Sequence, residues 1–326
     1  MGFRKSEGLQ TEFFGVWLAS PPKNETLLKV NRLVDWEVLR IMMKPLYKDD
    51  SRGGRPGYDP VMMFKFLLLE QWYNLSDVRV VEEAADRLSF RSFLNINTGD
   101  RVPDDTSLVR FRRRLLDADL LEALYAEVTV QMNEHGLGIS PGSMQIVDAT
   151  LVEAAPAPPP SDTPDDERND PDADYTVKND EPHYGYKLHM AQDRETGLIT
   201  GHTTTAASVH DSQVFEELID HTDASEVYAD KAYDSKKNRE VCTRLGARPC
   251  IMTHARKGKP LTEDQRHENN QFGKIRSFIE GTNAVLKRFM RCGRAVYIGI
   301  EKVHMQFTLG ILAYNLRRYA ALARTT

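Results

Sequence analysis

The order of apolar segments after residue 142 constrains the fold more than any other feature of this sequence. Five short segments have the alternating or wholly apolar pattern of β-strands, and helix-like segments separate the later ones. The strands are predicted at residues 144–147, 184–191, 198–205, 226–229 and 248–252, with an insertion after the first. Strands that first follow one another and then alternate with helices indicate an α/β fold, with a mixed sheet flanked by helices.

The chain up to residue 141 shows helical patterns instead. We therefore predict an all-α domain over residues 1–141, with residues 1–23 as an N-terminal arm, and the sheet domain over residues 142–326. Asp59 followed by Pro60 is typical of a helix N-cap and first helical position. The helix after them is apolar nearly all round, so it is expected to be a buried core element.

Arginines cluster on one predicted helix of the first domain. Two short helices, at residues 76–87 and 89–94, precede it, an order typical of a helix-turn-helix-like DNA reader. Arg110 and Arg113 are the candidate DNA contacts. The alternative is a solvated basic helix, because the adjacent residues Arg112, Arg113 and Arg114 spread around the helix axis and cannot all face DNA.

Charge is segregated along the chain, although the net charge is only −5. Residues 153–181 hold ten acidic and two basic residues, so the remainder of the chain is net positive. Residues 254–294 hold ten Lys or Arg and four Asp or Glu, which fits either a nucleic-acid contact or a solvated face. The acidic, proline-rich stretch at 154–182 can bury little and is expected to be a mobile surface insertion.

No membrane-spanning segment is predicted. The richest apolar run, at residues 61–69, is interrupted by Lys65. The N-terminus carries charges and lacks the apolar core of a signal peptide, so a cytoplasmic location without a membrane partner is expected.

Three acidic residues occupy positions from which they can meet on one side of a sheet. Asp148 and Asp230 each follow a short apolar strand, and Glu280 lies on a predicted helix at residues 271–290. The face of that helix that carries the glutamate also carries Arg276, Asn283 and Lys287. Carboxylates grouped in this way can bind Mg²⁺, although an aspartate after a strand is also a common turn or cap residue.

These acids lie in motifs that resemble those of a known family. The chain has Asp148 in IVDAT, Asp230 in YADKAYDS, and the spacing Arg276-x3-Glu280-x6-Lys287. The motifs are similar to those of bacterial insertion-sequence transposases of the DDE type, in the insertion-sequence-five-like group, and the resemblance covers about residues 60–319.

One position departs from the family pattern. The family signature begins with a tyrosine, whereas this chain has Gly273 at that place. The aromatic contact of the family is then either absent or supplied by the neighbouring Phe272.

The resemblance implies an RNase H-like catalytic domain that cuts and joins DNA. Asp148, Asp230 and Glu280 would bind two Mg²⁺ ions, with Mn²⁺ able to substitute. Water, and then a freed 3′-hydroxyl, would attack phosphodiesters at the ends of the element and in the target. The partner would be double-stranded DNA held by a homodimer, since transposition brings two ends together.

Further residues are assigned to DNA and to the support of the metal ligands. Arg276 and Lys287 would hold phosphates or the base next to the cut, and Arg288 follows on the same helix. Lys231 would contact the scissile strand, or would instead pair with Asp234. The residues expected to support the metal ligands are His210, Asp211 and Asn283.

Alternatives remain for the histidine and for the function. For the pair at residues 210–211, the favoured alternative to metal binding is a helix-capping aspartate beside a packing histidine. A non-catalytic, element-derived DNA-binding protein would be expected to have lost an acid, and all three are present. A carboxylate-pair hydrolase such as a glycosidase has no use for the basic residues around Glu280.

Overall fold

The computed structural model describes residues 24–47, 57–97, 99–134, 144–157, 169–178, 180–220, 223–256 and 258–323. The predicted arm at residues 1–23 and the predicted boundary at residue 141 lie outside the described residues. The chain forms two compact units, here called the helical unit (Met1–Gly136 with Thr308–Thr326) and the sheet unit (Leu137–Phe307). The sheet unit ends before residue 326, the predicted limit, because the second part of the last helix groups with the helical unit.

The helical unit is built around one apolar helix, α3 (Pro60–Tyr73). It begins at Asp59, whose carboxylate accepts a hydrogen bond from the Val61 backbone N–H at 2.9 Å, and it buries every residue except Tyr73. The prediction of a buried central helix is confirmed. The unit also contains α1 (Glu25–Leu33), α2 (Trp36–Met43), α4 (Asp77–Asp86), α5 (Leu88–Leu94), α6 (Asp105–Asp117) and α7 (Leu121–Met132).

The sheet unit contains one mixed sheet with six strands in the described residues. They are β1 (Met144–Glu153), β2 (Asp174–Lys178), β3 (Glu181–Asp193), β4 (Ile199–Ala206), β5 (Glu226–Ala229) and β6 (Arg248–Ile251). The order is β2-β3-β1-β5-β6, and β4 also pairs with β3; β1 is antiparallel to β3 and parallel to β5. The accompanying helices are α8 (Phe215–Ile219), α9 (Lys236–Arg244), α10 (Glu263–Phe289) and α11 (Ile300–Leu322).

Helices cover both faces of this sheet, because successive strand residues point to opposite sides. Val147 and Ala229 pack in an apolar cluster with α8 and α9. Their chain neighbours Ile146 and Tyr228 pack on the opposite face with Ile279 of α10. The predicted fold class, a mixed sheet flanked by helices and preceded by an all-α region, is confirmed.

Three elements differ from the sequence prediction. β1 does not stop before Asp148 but continues to Glu153, paired with β3 along this length. The insertion at residues 154–182 is not entirely irregular, since it contains β2, paired with β3. α10 begins eight residues before the predicted start at 271, because Thr262 and Gln265 form a capping box there.

Across the described ranges, no helix is both long enough and apolar enough to cross a bilayer. The long α11, for example, carries Glu301, Lys302, Arg317 and Arg318.

Candidate active site

Strand alternation places two of the three predicted acids on the α10 face of the sheet. Asp148 follows Val147 on β1, and Asp230 follows Ala229 at the end of β5, where Val147 and Ala229 are register partners on parallel strands. Since Val147 and Ala229 point toward α8 and α9, the residues after them point toward α10. The two carboxylates therefore lie on neighbouring strands and on the same face.

Helix α10 brings the third acid and two hydrogen-bond donors to Asp148. Arg276 donates from Nη1 to Asp148 Oδ1 at 3.0 Å and from Nη2 to Glu280 Oε1 at 2.9 Å. Asn283 donates from Nδ2 to Asp148 Oδ2 at 3.0 Å. Lys287, one turn further, donates to the Leu151 carbonyl at 2.7 Å. The predicted helix face thus lies along β1, with Arg276 linking two acids.

Burial and neighbouring charge act on Asp148 in opposite directions. Its side chain is 14% exposed, whereas that of Glu280 is 57% exposed. Burial raises the pKa of Asp148 to about 6, Arg276 opposes this rise, and the nearby Asp230 and Glu280 add to it. Asp230 and Glu280 therefore repel the ionised form of Asp148, and a bound cation would offset this repulsion.

The segment after Asp230 forms a short helical turn, in which Tyr233 is buried. Asp230 accepts a hydrogen bond from the Lys231 backbone N–H at 2.6 Å, and the Lys231 side chain is exposed. Burial raises the pKa of Tyr233, and Asp211, Asp148 and Asp230 raise it further. The negative charges of Asp211, Asp148 and Asp230 thus act on the Tyr233 hydroxyl.

The alternative ion pair considered for Lys231 is not formed. Asp234 accepts hydrogen bonds from Arg239, at 2.9 Å from Nη2, and from the His254 backbone N–H at 2.9 Å. The exposed ammonium of Lys231 therefore remains on the surface beside a predicted metal ligand.

The capping residue of the pair at 210–211 is the histidine. His210, not Asp211, is the N-cap of the short helical turn, and its Nδ1 accepts a hydrogen bond from the Ser212 backbone N–H at 3.3 Å. Asp211 pairs with Lys187 of β3 at 2.8 Å. Lys187 carries no motif in the sequence. The sequence placed it only on the strand predicted at residues 184–191.

The departure at Gly273 is not compensated by Phe272. The Phe272 ring packs edge-on against Tyr228 with ring centroids 5.7 Å apart, as part of the α10 side of the core. A side chain at position 273, in contrast, would meet no atom within 4 Å of its Cβ. The aromatic group of the family signature is thus absent from this surface of α10.

The predicted DNA-contact arginines of α6 separate into two environments. Arg112 is buried and pairs with Glu70 at 2.8 Å and with Asp77 at 2.5 Å. Arg110 and Arg113 are exposed. The expectation that the adjacent Arg112, Arg113 and Arg114 cannot all face one way is therefore confirmed, since the first is buried and the other two are exposed. Arg288, at the end of α10, is also exposed.

The connection between α5 and α6 runs from Asn95 to Asp104. It is longer than the turn of about 3–4 residues in a helix-turn-helix unit. The helical unit therefore presents α6 on a longer loop than the motif requires.

The donor chemistry of the site fits a hard divalent cation. Asp148, Asp230 and Glu280 offer carboxylate oxygens, which Mg²⁺ prefers. The site is open on the side of Glu280, since that side chain is largely exposed. This leaves room for a phosphate to approach a bound ion.

Comparison with known proteins agrees with this chemistry. A family model described as a transposase DDE domain matches residues 140–316, and one described as a transposase domain (DUF772) matches residues 16–114. Among solved structures, the piggyBac transposase in a synaptic complex with hairpin DNA is 10% identical, with a TM-score of 0.42; the match covers 92% of this chain and 73% of that one. Because the DDE model spans more than half of its length, this chain belongs to the DDE transposases, enzymes of DNA transposition that are encoded by insertion sequences.

Proposed function

We propose that Asp148, Asp230 and Glu280 are the metal ligands of this transposase and that they bind two Mg²⁺ ions, which Mn²⁺ can replace. The observation that supports this proposal is the grouping of the acids on one face, with Asp148 and Asp230 on adjacent parallel strands and Glu280 linked to Asp148 through Arg276. Two such ions, when bound, activate a nucleophile and stabilise the leaving oxygen of a phosphodiester.

The remaining side chains of the site orient the acids and the DNA. Asn283 holds one oxygen of Asp148 and thereby sets the direction of the carboxylate. Arg276 and Lys287 carry positive charge on either side of Glu280 and hold phosphates on the strand that is cut. Lys231 and Arg288 contribute further phosphate contacts at the exposed edge. Asp211, tied to Lys187, and His210 support the turn behind the acids.

The helical unit recognises the terminal repeats of the element. Arg110 and Arg113 of α6 are exposed and contact the DNA, while the sheet unit carries the chemistry. Transposition joins two ends, so the protein acts as a homodimer on double-stranded DNA. It does so in the cytoplasm, on the nucleoid.

The test is cleavage of DNA that carries the element end, taken from the sequence flanking the gene. Asp148→Asn and Glu280→Gln keep the shape of each side chain but remove a metal-binding charge. Each is expected to lower Mg²⁺-dependent nicking by more than about 1,000-fold, the scale on which loss of a preorganised charge acts. End binding, measured by gel shift in EDTA, should remain within about threefold of wild type because one charge among many phosphate contacts changes.

Glu240→Gln provides the matched control, since this exposed glutamate of α9 is paired with Lys236 and lies outside the site. It should cleave like wild type. Nicking that survives both Asp148→Asn and Glu280→Gln would contradict the metal-ligand assignment, whereas loss of end binding in all variants would point to misfolding.

A further inference from the structure

A cavity of about 330 Å³ lies in the sheet unit, further along β1 than Asp148. Residues 150–153 of β1 form its floor, and Lys178 of β2 and Lys287 of α10 lie on its walls. His183 and Tyr184 of β3 also line it. Two lysines beside a cavity of this size have the chemistry of a site for a phosphate of a nucleic-acid strand.

Lys287 is fixed at this cavity with donors to spare. Its ammonium gives one hydrogen bond to the Leu151 carbonyl, and an ammonium has three N–H groups, so two remain for another acceptor. Burial lowers the pKa of Lys287, and the positive charge of Lys178 lowers it further, while Glu153 and Asp148 act in the opposite direction. The two lysines are therefore close enough to repel each other, and an anion between them would remove that repulsion.

Two glycines bring the walls of the cavity together. A Cβ at Gly293 would lie 2.7 Å from the Lys287 carbonyl oxygen, and a Cβ at Gly185 would overlap the Val152 carbonyl oxygen. Contacts this short are not tolerated by real side chains, so only glycine permits this approach of the backbones. Both glycines line the cavity. Its shape is thus set by backbone, which favours a preformed binding site over an accidental gap.

The position of the cavity relates it to the acids. Leu151 is three residues beyond Asp148 on the same strand, which corresponds to about 10 Å at the usual rise of a β-strand. A DNA strand with one phosphodiester at the acids can therefore place a neighbouring nucleotide here. Glu153 also lines the cavity and disfavours a second anion, so the site fits one phosphate.

We propose that this cavity binds one phosphate, with its nucleotide, of the DNA strand next to the cleaved bond, and that Lys178 is the residue that completes the site. The proposal rests on the proposed function, since it names a contact of the same DNA substrate. It adds β2, a strand of the acidic insertion, to the DNA-binding surface.

The first test measures the salt dependence of DNA binding by the full-length protein. The probe is an end-sequence duplex in EDTA, titrated between 50 and 200 mM salt. Lys178→Ala is expected to weaken binding about tenfold at low salt, the scale of a charge-assisted hydrogen bond. It should also reduce the slope of log K against log salt by about 0.9, the contribution of one phosphate contact. Lys178→Arg should restore most of the affinity at low salt and most of the slope.

Lys236→Ala is the matched control, because Lys236 is also an exposed lysine of the sheet unit, with a side chain that is 92% exposed. Its slope should equal that of wild type. Lys178 is exposed as well, so its replacement should leave the melting temperature unchanged. An unchanged slope for Lys178→Ala would overturn the proposal.

The second test locates the phosphate. Phosphates around the cut are replaced one at a time by neutral methylphosphonates, and binding is measured for wild type and Lys178→Ala. Wild type should lose about tenfold at one position near the cut, and Lys178→Ala should lose clearly less at that position, because only Lys287 still contacts the phosphate there. Equal losses in both proteins at every position would refute the site. If wild type neither bound nor cleaved the duplex, the proposed function itself would fail, and this inference with it.

Discussion

Asp148 is the residue on which the geometry of the site converges, because it is a buried acid whose two oxygens are both occupied. Arg276 takes one oxygen and Asn283 the other. The sequence predicted that Asp148, Arg276 and Glu280 belong to one site, since helical spacing and strand ends can be read from local order. It did not predict that Arg276 bridges the two acids, because that contact joins residues far apart in the chain.

The raised pKa of Asp148 makes stability depend on pH in a definite direction. Asp148 has a pKa near 4 in the unfolded chain and about 6 in the folded protein. The folded state therefore stays protonated to a higher pH. The stabilising contribution of protonated Asp148 to the free energy of unfolding is therefore fully present below about pH 4 and is lost as pH rises through about 6. In EDTA, the free energy of unfolding of Asp148→Asn relative to wild type should increase by up to about 3 kcal/mol between pH 3.5 and 7.5.

This prediction is checked by urea unfolding followed by circular dichroism at four pH values across that range. Asp104→Asn is a control of opposite sign, since hydrogen bonds from Thr106 and Ser107 lower the pKa of Asp104. A difference between Asp148→Asn and wild type that stays constant with pH would show that Asp148 titrates normally.

At the scale of elements, the misread segments are those whose structure depends on a distant partner. The apolar run of β1 ends before Asp148, yet the strand continues because β3 pairs with it as far as Glu153. β2 is almost entirely exposed, so it has no apolar pattern, and only its ladder with β3 makes it a strand. The start of α10, in contrast, had a local signal in the capping box of Thr262 and Gln265, which lay within a predicted loop.

The acidic insertion is anchored by one buried aspartate. Asp170 is 2% exposed and accepts a hydrogen bond from the Gly299 backbone N–H at 3.2 Å, and its carbonyl accepts one from the Tyr184 hydroxyl at 2.8 Å. Asp170→Ala should destabilise the protein by about 1–3 kcal/mol, because it leaves a backbone donor without its partner. Thermal unfolding measures this loss, and exposed Glu181→Ala should show almost none. Equal melting temperatures for the two variants would mean that the insertion is not tied to the sheet unit through this side chain.

At the scale of the whole molecule, the distribution of charge matters more than the net charge of −5. The arginines of α6 show why composition alone does not identify a DNA surface. Arg112 is used inside the helical unit, where it neutralises Glu70 and Asp77, and only its neighbours reach solvent. No sequence pattern separates these roles, because helical spacing gives relative directions and not which direction is the inside.

The arginines of α6 therefore divide into residues for folding and residues for DNA. Arg110→Ala with Arg113→Ala should lower the salt slope of duplex binding by up to about 1.8, the contribution of two phosphate contacts, without changing stability. Arg112→Ala should instead destabilise the helical unit by about 3–5 kcal/mol, since Glu70 would stay buried without its partner. Arg79→Ala serves as the comparison, because Arg79 is an exposed arginine on another helix, α4, paired with Glu82 and Glu83 as Arg113 is with Asp117. A slope that falls as much for Arg79→Ala as for the double variant would show that exposed charge in general, and not this face of α6, sets the affinity for DNA.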